Sequence, residues 1–286
     1  MALKPVFETQ AKPETVELYR QIKECLHLPH VPLFFAYMGQ FPEYLTYITP
    51  QLTTNLVAPE FNRLNTSVGE QIFHLIREEL TYSDDLNEWL QTYRKTPSFY
   101  HFQQDLAHVF ETNMKLAFVF VALREAVKGW AVAAKKLPAF TVDESHISHE
   151  TDVNHTSEEF IYETHLNSPA TTSTIVSGVT SSSSSLMRQQ SSGIEKQIMP
   201  QFMHLSRIDF ERHMKRDYFW IMRVGIEKII LASLDTMPHL IFSPVNVVIE
   251  LTSKYPDFPE LLHLLSEHFP TYAVQRMMFS GYMKSA

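Results

Sequence analysis

Thr96-Pro-Ser-Phe-Tyr-His-Phe102, running on to Phe110-Glu-Thr-Asn-Met-Lys-Leu-Ala-Phe-Val-Phe-Val-Ala-Leu-Arg124, is one of two stretches that decide the fold. The other is Tyr255-Pro-Asp-Phe-Pro-Glu-Leu261, running on to Phe269-Pro-Thr-Tyr-Ala-Val-Gln-Arg-Met-Met-Phe279. Set side by side without a gap, Pro97, Phe99, Phe110, Thr112 and Phe120 fall on Pro256, Phe258, Phe269, Thr271 and Phe279. The same register carries Asn87 onto Asn246 and Lys95 onto Lys254. The shared Pro-x-Phe start and the shared apolar periodicity read as one helical hairpin written twice. A competing register pairs Leu28-Pro-His-Val31 with Met237-Pro-His-Leu240, but it needs an insertion and ranks second.

Composition points the same way. The chain has 286 residues, 44% hydrophobic and 20% charged, the make-up of an ordinary globular protein. It has only 7 glycines. Tight βα turns and phosphate-cradling loops need glycine at special backbone angles, so the scarcity favours an all-α fold and disfavours nucleotide binding. A net charge of −8 argues against nucleic acid as partner. Cys25 is the only cysteine, which excludes a disulfide framework, a CxxC redox pair and a thiolate zinc site. The start of the chain lacks the apolar core of a signal peptide, and the run Leu116 to Leu123 is too short to span a bilayer. The expectation is a cytoplasmic protein that does not engage membranes.

The remaining helices are read from periodicity. Glu14 to Leu26 places Val16, Tyr19, Ile22, Lys23 and Leu26 at helical spacing. Val31 to Met38 is apolar all round, Pro42 restarts a helix, and Pro59 to Leu80 is a long amphipathic one. Asp84 or Asp85 is expected to cap the helix over Leu86–Tyr93. Residues 141–193 are rich in Ser, Thr and His with few large apolars, the composition of a flexible linker. Residues 1–140 and 194–286 are then the two helical repeats. Met203 to Met222 reads as a charged helix passing into an apolar one, and the Val/Ile-rich stretch after Pro244 reads as helix.

Polar residues on apolar elements are the places to look for chemistry, since small-molecule sites are mostly apolar with few placed polar groups. Asn113 is expected to start the most apolar helix, as its N-cap and facing a cavity through free N–H groups. Asp209, between Ile208 and Phe210, is the second candidate, its alternative role being an exposed salt-bridged carboxylate.

At these residues the sequence resembles the group I 2-haloacid dehalogenases. Leu18-Tyr-Arg-Gln-Ile-Lys through Val31-Pro-Leu-Phe-Phe-Ala-Tyr-Met to Phe41-Pro-Glu-Tyr-Leu45 is similar to that family's opening segment, and Asn113-Met-Lys-Leu116 to its Asn-Pro-Lys-Tyr element. The resemblance implies two tandem helical repeats forming an internal pseudo-dimer, distantly akin to the alkylhydroperoxidase-D-like fold without that fold's CxxC. It implies a hydrolase needing no cofactor, with a small carboxylic-acid substrate and room for a homodimer. In such enzymes an aspartate of the second repeat activates water for direct attack on Cα, displacing halide with inversion, while an asparagine of the first repeat holds water or substrate. By position these are Asp209 and Asn113, with Phe35, Tyr37 and Tyr272 as substrate-pocket residues. The sequence departs from the family at Ile208, where a serine stands, and at Met114 and Leu116. Loss of those polar groups would leave the alternative, a non-catalytic helical binding protein on the same fold.

Overall fold

Proline marks where the helices start. In the computed structural model, which describes residues 3–128 and 195–286, α1 (Pro13–Leu26), α3 (Pro42–Val57), α4 (Pro59–Glu79) and α6 (Pro97–Val127) each carry proline in the first turn. There its missing N–H would have had no intrahelical partner. Between them lie α2 (Leu33–Met38) and α5 (Asp84–Tyr93). The expected aspartate cap on α5 is corrected. Ser83 is the cap, its Oγ accepting the Leu86 N–H at 3.4 Å, while Asp84 and Asp85 sit inside the first turn, where their charge favours the helix dipole. The chain continues with α7 (Glu195–Met214), α8 (Asp217–Ser233), α9 (Val245–Lys254), α10 (Phe258–His263) and α11 (Phe269–Lys284). Among the described residues there is no strand, and the Val/Ile-rich stretch after Pro244 is helical as read. The Ser/Thr/His-rich tract, 141–193, lies outside the described residues.

The two expected hairpins are continuous helical elements instead. α6 runs unbroken for 31 residues, with neither proline nor glycine after Pro97. α10 and α11 are joined by a π-helical turn, Leu264–His268, and so form one continuous element. Asn113 therefore starts no helix. It lies in the middle of α6, buried, with its N–H inside the helical ladder rather than free for an anion. Tyr272 follows directly on the π-turn, so it too has no open helix end. The polar pair Thr112-Asn113 looks like a cap only while the helix is judged by its sequence. In a rod buried on all sides it is an inward-facing polar site.

α6 and α11 pack antiparallel at the centre. At one end Phe120 meets Phe269 with ring centroids 5.7 Å apart; at the other, Gly281 lies against Phe110. Gly281 is needed there: a Cβ would come within 2.8 Å of Ile76 Cδ1 and 3.0 Å of the Phe110 ring. One core cluster surrounds the pair and takes residues from both ends of the chain. Phe34 of α2, for example, touches Phe120 of α6 at 4.4 Å and Phe269 of α11 at 5.3 Å. A partly buried ion network, Arg124–Glu227–Arg223, ties α6 to α8, and Arg223 reaches Thr271 Oγ1 at 3.3 Å. By length and composition α6 could cross a membrane, yet 83% of its most apolar window is buried within the protein, the pattern of a core helix.

Candidate active site

α7 turns a stripe of Phe202, Ser206, Asp209, Phe210 and His213 toward the core, none more than 4% exposed, while neighbouring Ile208 is 51% exposed. The spacing is that of one helical face, so Asp209 is inward by register and not by a local distortion. A carboxylate there must be held by donors. Its Oδ2 accepts the Ser83 N–H at 2.7 Å and the hydroxyl of Tyr282, which is itself wholly buried in α11. Its Oδ1 is paired with Arg212 at 2.9 Å, without hydrogen-bond geometry, and is sealed from solvent. The alternative of an exposed ion pair is thus half right. Asp209 is ion-paired, but it is buried, and only Arg212 reaches the surface, with 46% of its side chain exposed.

The same face of α7 grips the loop between α4 and α5. Arg212 donates to the Thr81 carbonyl at 3.1 Å. His213 Nε2 lies 2.8 Å from that carbonyl, which can only accept, so Nε2 carries the proton and Nδ1 accepts from the Tyr218 hydroxyl. Burial, with Arg212 and Arg216 nearby, pushes the His213 pKa down, although the Thr81 bond and Asp209 oppose the shift. Tyr82 completes the grip: its hydroxyl donates to the Tyr282 carbonyl at 3.1 Å, and the two rings meet edge to face at 5.0 Å. Burial and then the bond to Asp209 raise the Tyr282 pKa far above its usual value, so it stays a proton donor to the carboxylate.

A second clasp runs the other way. Gln51 of α3 accepts the Phe242 N–H at 2.8 Å and donates to the Phe242 carbonyl at 3.3 Å, while Asn55 Oδ1 takes the His239 N–H at 3.2 Å. In the register that sets Pro97 on Pro256, an offset of 159, residue 83 falls on residue 242. The two backbone N–H groups are met from the opposite end of the chain, one by a carboxylate and the other by an amide.

The other residues singled out by sequence are spread along the α6–α11 crossing. Asn113 is 5% exposed, and among the described residues its amide has no hydrogen-bond partner; no bond or ion pair joins it to Asp209. Phe35 is fully buried against Phe120 at 5.4 Å. Tyr37 and Tyr272 are half-buried, at 5.9 Å from Phe269 and 5.7 Å from Phe34, and burial raises the pKa of each. Sequence reasoning missed Ser83, Arg212 and Tyr282. The periodic stripe through Asp209 would have announced Arg212 and His213, but nothing local announces a tyrosine from the last helix.

Solved structures share the fold over nearly the whole chain. A D-2-haloacid dehalogenase mutant in complex with D-2-CPA superposes with a TM-score of 0.66 at 13% identity, covering 100% of this chain and 96% of that one. The D-2-haloacid dehalogenase complex with L-LA gives 0.65 at 13% identity over 99% and 96%. A further mutant of that enzyme gives 0.68 at 14% over 99% and 95%. The chain has the fold of the D-2-haloacid dehalogenases. The kinship is distant: no protein-family model matches the sequence, and no curated protein does. Sharing the dehalogenase fold establishes the architecture of the chain alone and leaves the chemistry of Asp209 to be argued from the site.

Proposed function

We propose that the protein is a dehalogenase-like hydrolase that displaces halide from a small 2-haloalkanoic acid, with Asp209 as general base. The observation that carries this reading is the charge of Asp209. Its Oδ2 accepts the Ser83 N–H and the Tyr282 hydroxyl, whereas the Phe242 N–H, which falls on that of Ser83 in the sequence register, is accepted by the neutral Gln51. A neutral amide can accept such a backbone N–H, so the carboxylate at 209 brings into the interior a negative charge beyond what that one bond needs. Burying charge is costly unless it is used or well paired. Oδ2 is fixed by Ser83 and Tyr282, whereas Oδ1 has no hydrogen bond. Its cover, Arg212, is half exposed and can swing outward without unpacking the core. A water admitted to Oδ1 then gives up its proton to Asp209 as its oxygen bonds to the substrate Cα. The C–X bond breaks on the opposite side, halide leaves with the electron pair, and the product is the 2-hydroxy acid of inverted configuration. Asn113, whose amide has no hydrogen-bond partner among the described residues, is the group available to orient water or substrate. Holding the reactants in line supplies much of the rate gain in such a step.

A second reading keeps the fold without the reaction. It is favoured by the sealing of Oδ1 against Arg212, which makes Asp209 a structural tie between α7 and the Thr81–Ser83 loop. The two readings part in one experiment: incubation of the folded protein with D- and L-2-chloropropionate, following chloride and the configuration of the lactate formed. The hydrolase reading expects chloride release and inverted lactate. Absence of chloride from both enantiomers supports the non-catalytic reading.

A further inference from the structure

Arg276 is a mostly covered cation with no counter-ion among the described residues. It sits on α11, whose neighbouring residues on every side are buried: Ala273, Val274, Gln275, Met277 and Met278. On the face that Arg276 shares, Phe269 at one end and Met283 at the other are 6% and 4% exposed. Between them Tyr272, Arg276 and Phe279 keep partial accessibility, so the middle of this face is less fully covered than its ends. Among the described residues no Asp, Glu or hydrogen-bond acceptor meets the guanidinium, and Tyr272, one turn earlier, is the only titratable neighbour whose field it feels. An arginine keeps its charge at any relevant pH, and an enclosed guanidinium is unfavourable until an anion pairs with it. Burial indeed pushes the Arg276 pKa down.

We infer that Arg276, with Tyr272 beside it, is the binding subsite for the carboxylate of a small organic acid. The planar guanidinium fork matches a carboxylate in two parallel hydrogen bonds. The walls are apolar and suit a short alkyl group: Tyr272 leans on Phe34 at 5.7 Å, and Phe279 on Phe210, the residue after Asp209, at 5.0 Å. Tyr282, which holds Asp209, lies six residues further along the same helix, about 9 Å of axial rise. Six residues make one and two-thirds turns, so Tyr282 points about 120° away from Arg276 around the helix, and the link to Asp209 runs instead through Phe279, which touches Phe210. Carboxylate capture stands on its own; only its service to dehalogenation rests on the function proposed above.

The test is calorimetric titration of the full chain, in chloride-free buffer, with propionate, L-lactate and the neutral isostere propionamide, and separately with chloride. Propionate and lactate are expected to bind at least about tenfold more tightly than propionamide, since the amide cannot pair as an anion with the fork. Arg276→Met is expected to weaken carboxylate binding by at least about tenfold and Arg276→Lys by less, while the exposed control Arg63→Met binds as the wild type does. Equal affinity for propionate and propionamide overturns the subsite, as does wild-type affinity in folded Arg276→Met, or binding of chloride without binding of either carboxylate. Should Arg276→Met not fold, the comparison of acid with amide on the wild type decides. Carboxylate binding without halide release from 2-chloropropionate supports the subsite and counts against the reaction alone.

Discussion

Tyr282→Phe removes one oxygen from the core and almost nothing else. The ring is fully buried and meets Tyr82 at 5.0 Å, Phe210 at 5.8 Å and His213 at 5.8 Å, contacts that phenylalanine keeps. What goes is the hydroxyl donated to Asp209 Oδ2. A hydrogen bond to a charged acceptor contributes about 1.5–3 kcal/mol, and a buried carboxylate left short of a donor is costly, so the expected loss is about 2 kcal/mol. For a chain of this size that corresponds to a fall in Tm of roughly 4–8 °C. Urea denaturation monitored by far-UV circular dichroism reads it as a lower midpoint with an unchanged slope. A double-mutant cycle isolates the bond: in an Asp209→Ala background the same Tyr282→Phe change should cost less than about 0.5 kcal/mol. A full 2 kcal/mol loss in both backgrounds would place the hydroxyl's contribution elsewhere and refute the Tyr282–Asp209 tie.

Other consequences follow from single positions. Gly281→Ala forces a methyl group into Ile76 and Phe110 at the α6–α11 contact and is expected to destabilise by about 1–3 kcal/mol, read as the shift in urea midpoint. His27 closes α1 in the left-handed region, at φ 54°, so His27→Gly is expected to raise stability by about 1 kcal/mol; no rise in the midpoint would mean the cap carries no strain. Alkaline pH should weaken the fold. Burial pushes Tyr44 and Tyr82 up to about 12 and Tyr282 higher, so above pH 10 only the unfolded chain releases these protons. Stability is thus full below pH 10 and falls above it, by about 1.4 kcal/mol per pH unit for each such tyrosine, until the folded groups titrate. Urea midpoints measured between pH 8 and 11.5 check it, and a flat profile would contradict the buried-hydroxyl assignment.

Helix starts were legible because proline announces them: Pro13, Pro42, Pro59 and Pro97 each open an element. The Val/Ile-rich segment after Pro244 was legible as helix through that proline and through its register with residues 86–93. Asn113 misled for a physical reason. Capping residues and inward-facing amides are the same residue types, and a helix buried on every side offers no polar face to tell them apart. The π-turn at Leu264–His268 lies just before Pro270, which has no N–H to give the Ser266 carbonyl four residues back, and its wider step brings His263 and His268, five residues apart, to 5.0 Å. At the site, helical phase placed Asp209 inward with Phe202, Ser206 and His213, and a count of that stripe recovers its burial from sequence. The donors that hold it come from Ser83 and Tyr282, far away in the chain, and such long-range partners carry no local signature.

Asp209 as the base is tested most directly by chloride release from 2-chloropropionate, comparing wild type with Asp209→Asn at matched folded concentration. Asparagine retains an acceptor for the Ser83 N–H, as Gln51 does for Phe242, so the fold is expected to survive the change. Chloride release by the wild type, reduced about 10²–10⁴-fold in Asp209→Asn with the circular dichroism spectrum unchanged, is the expected result. Equal release by the two proteins would contradict it.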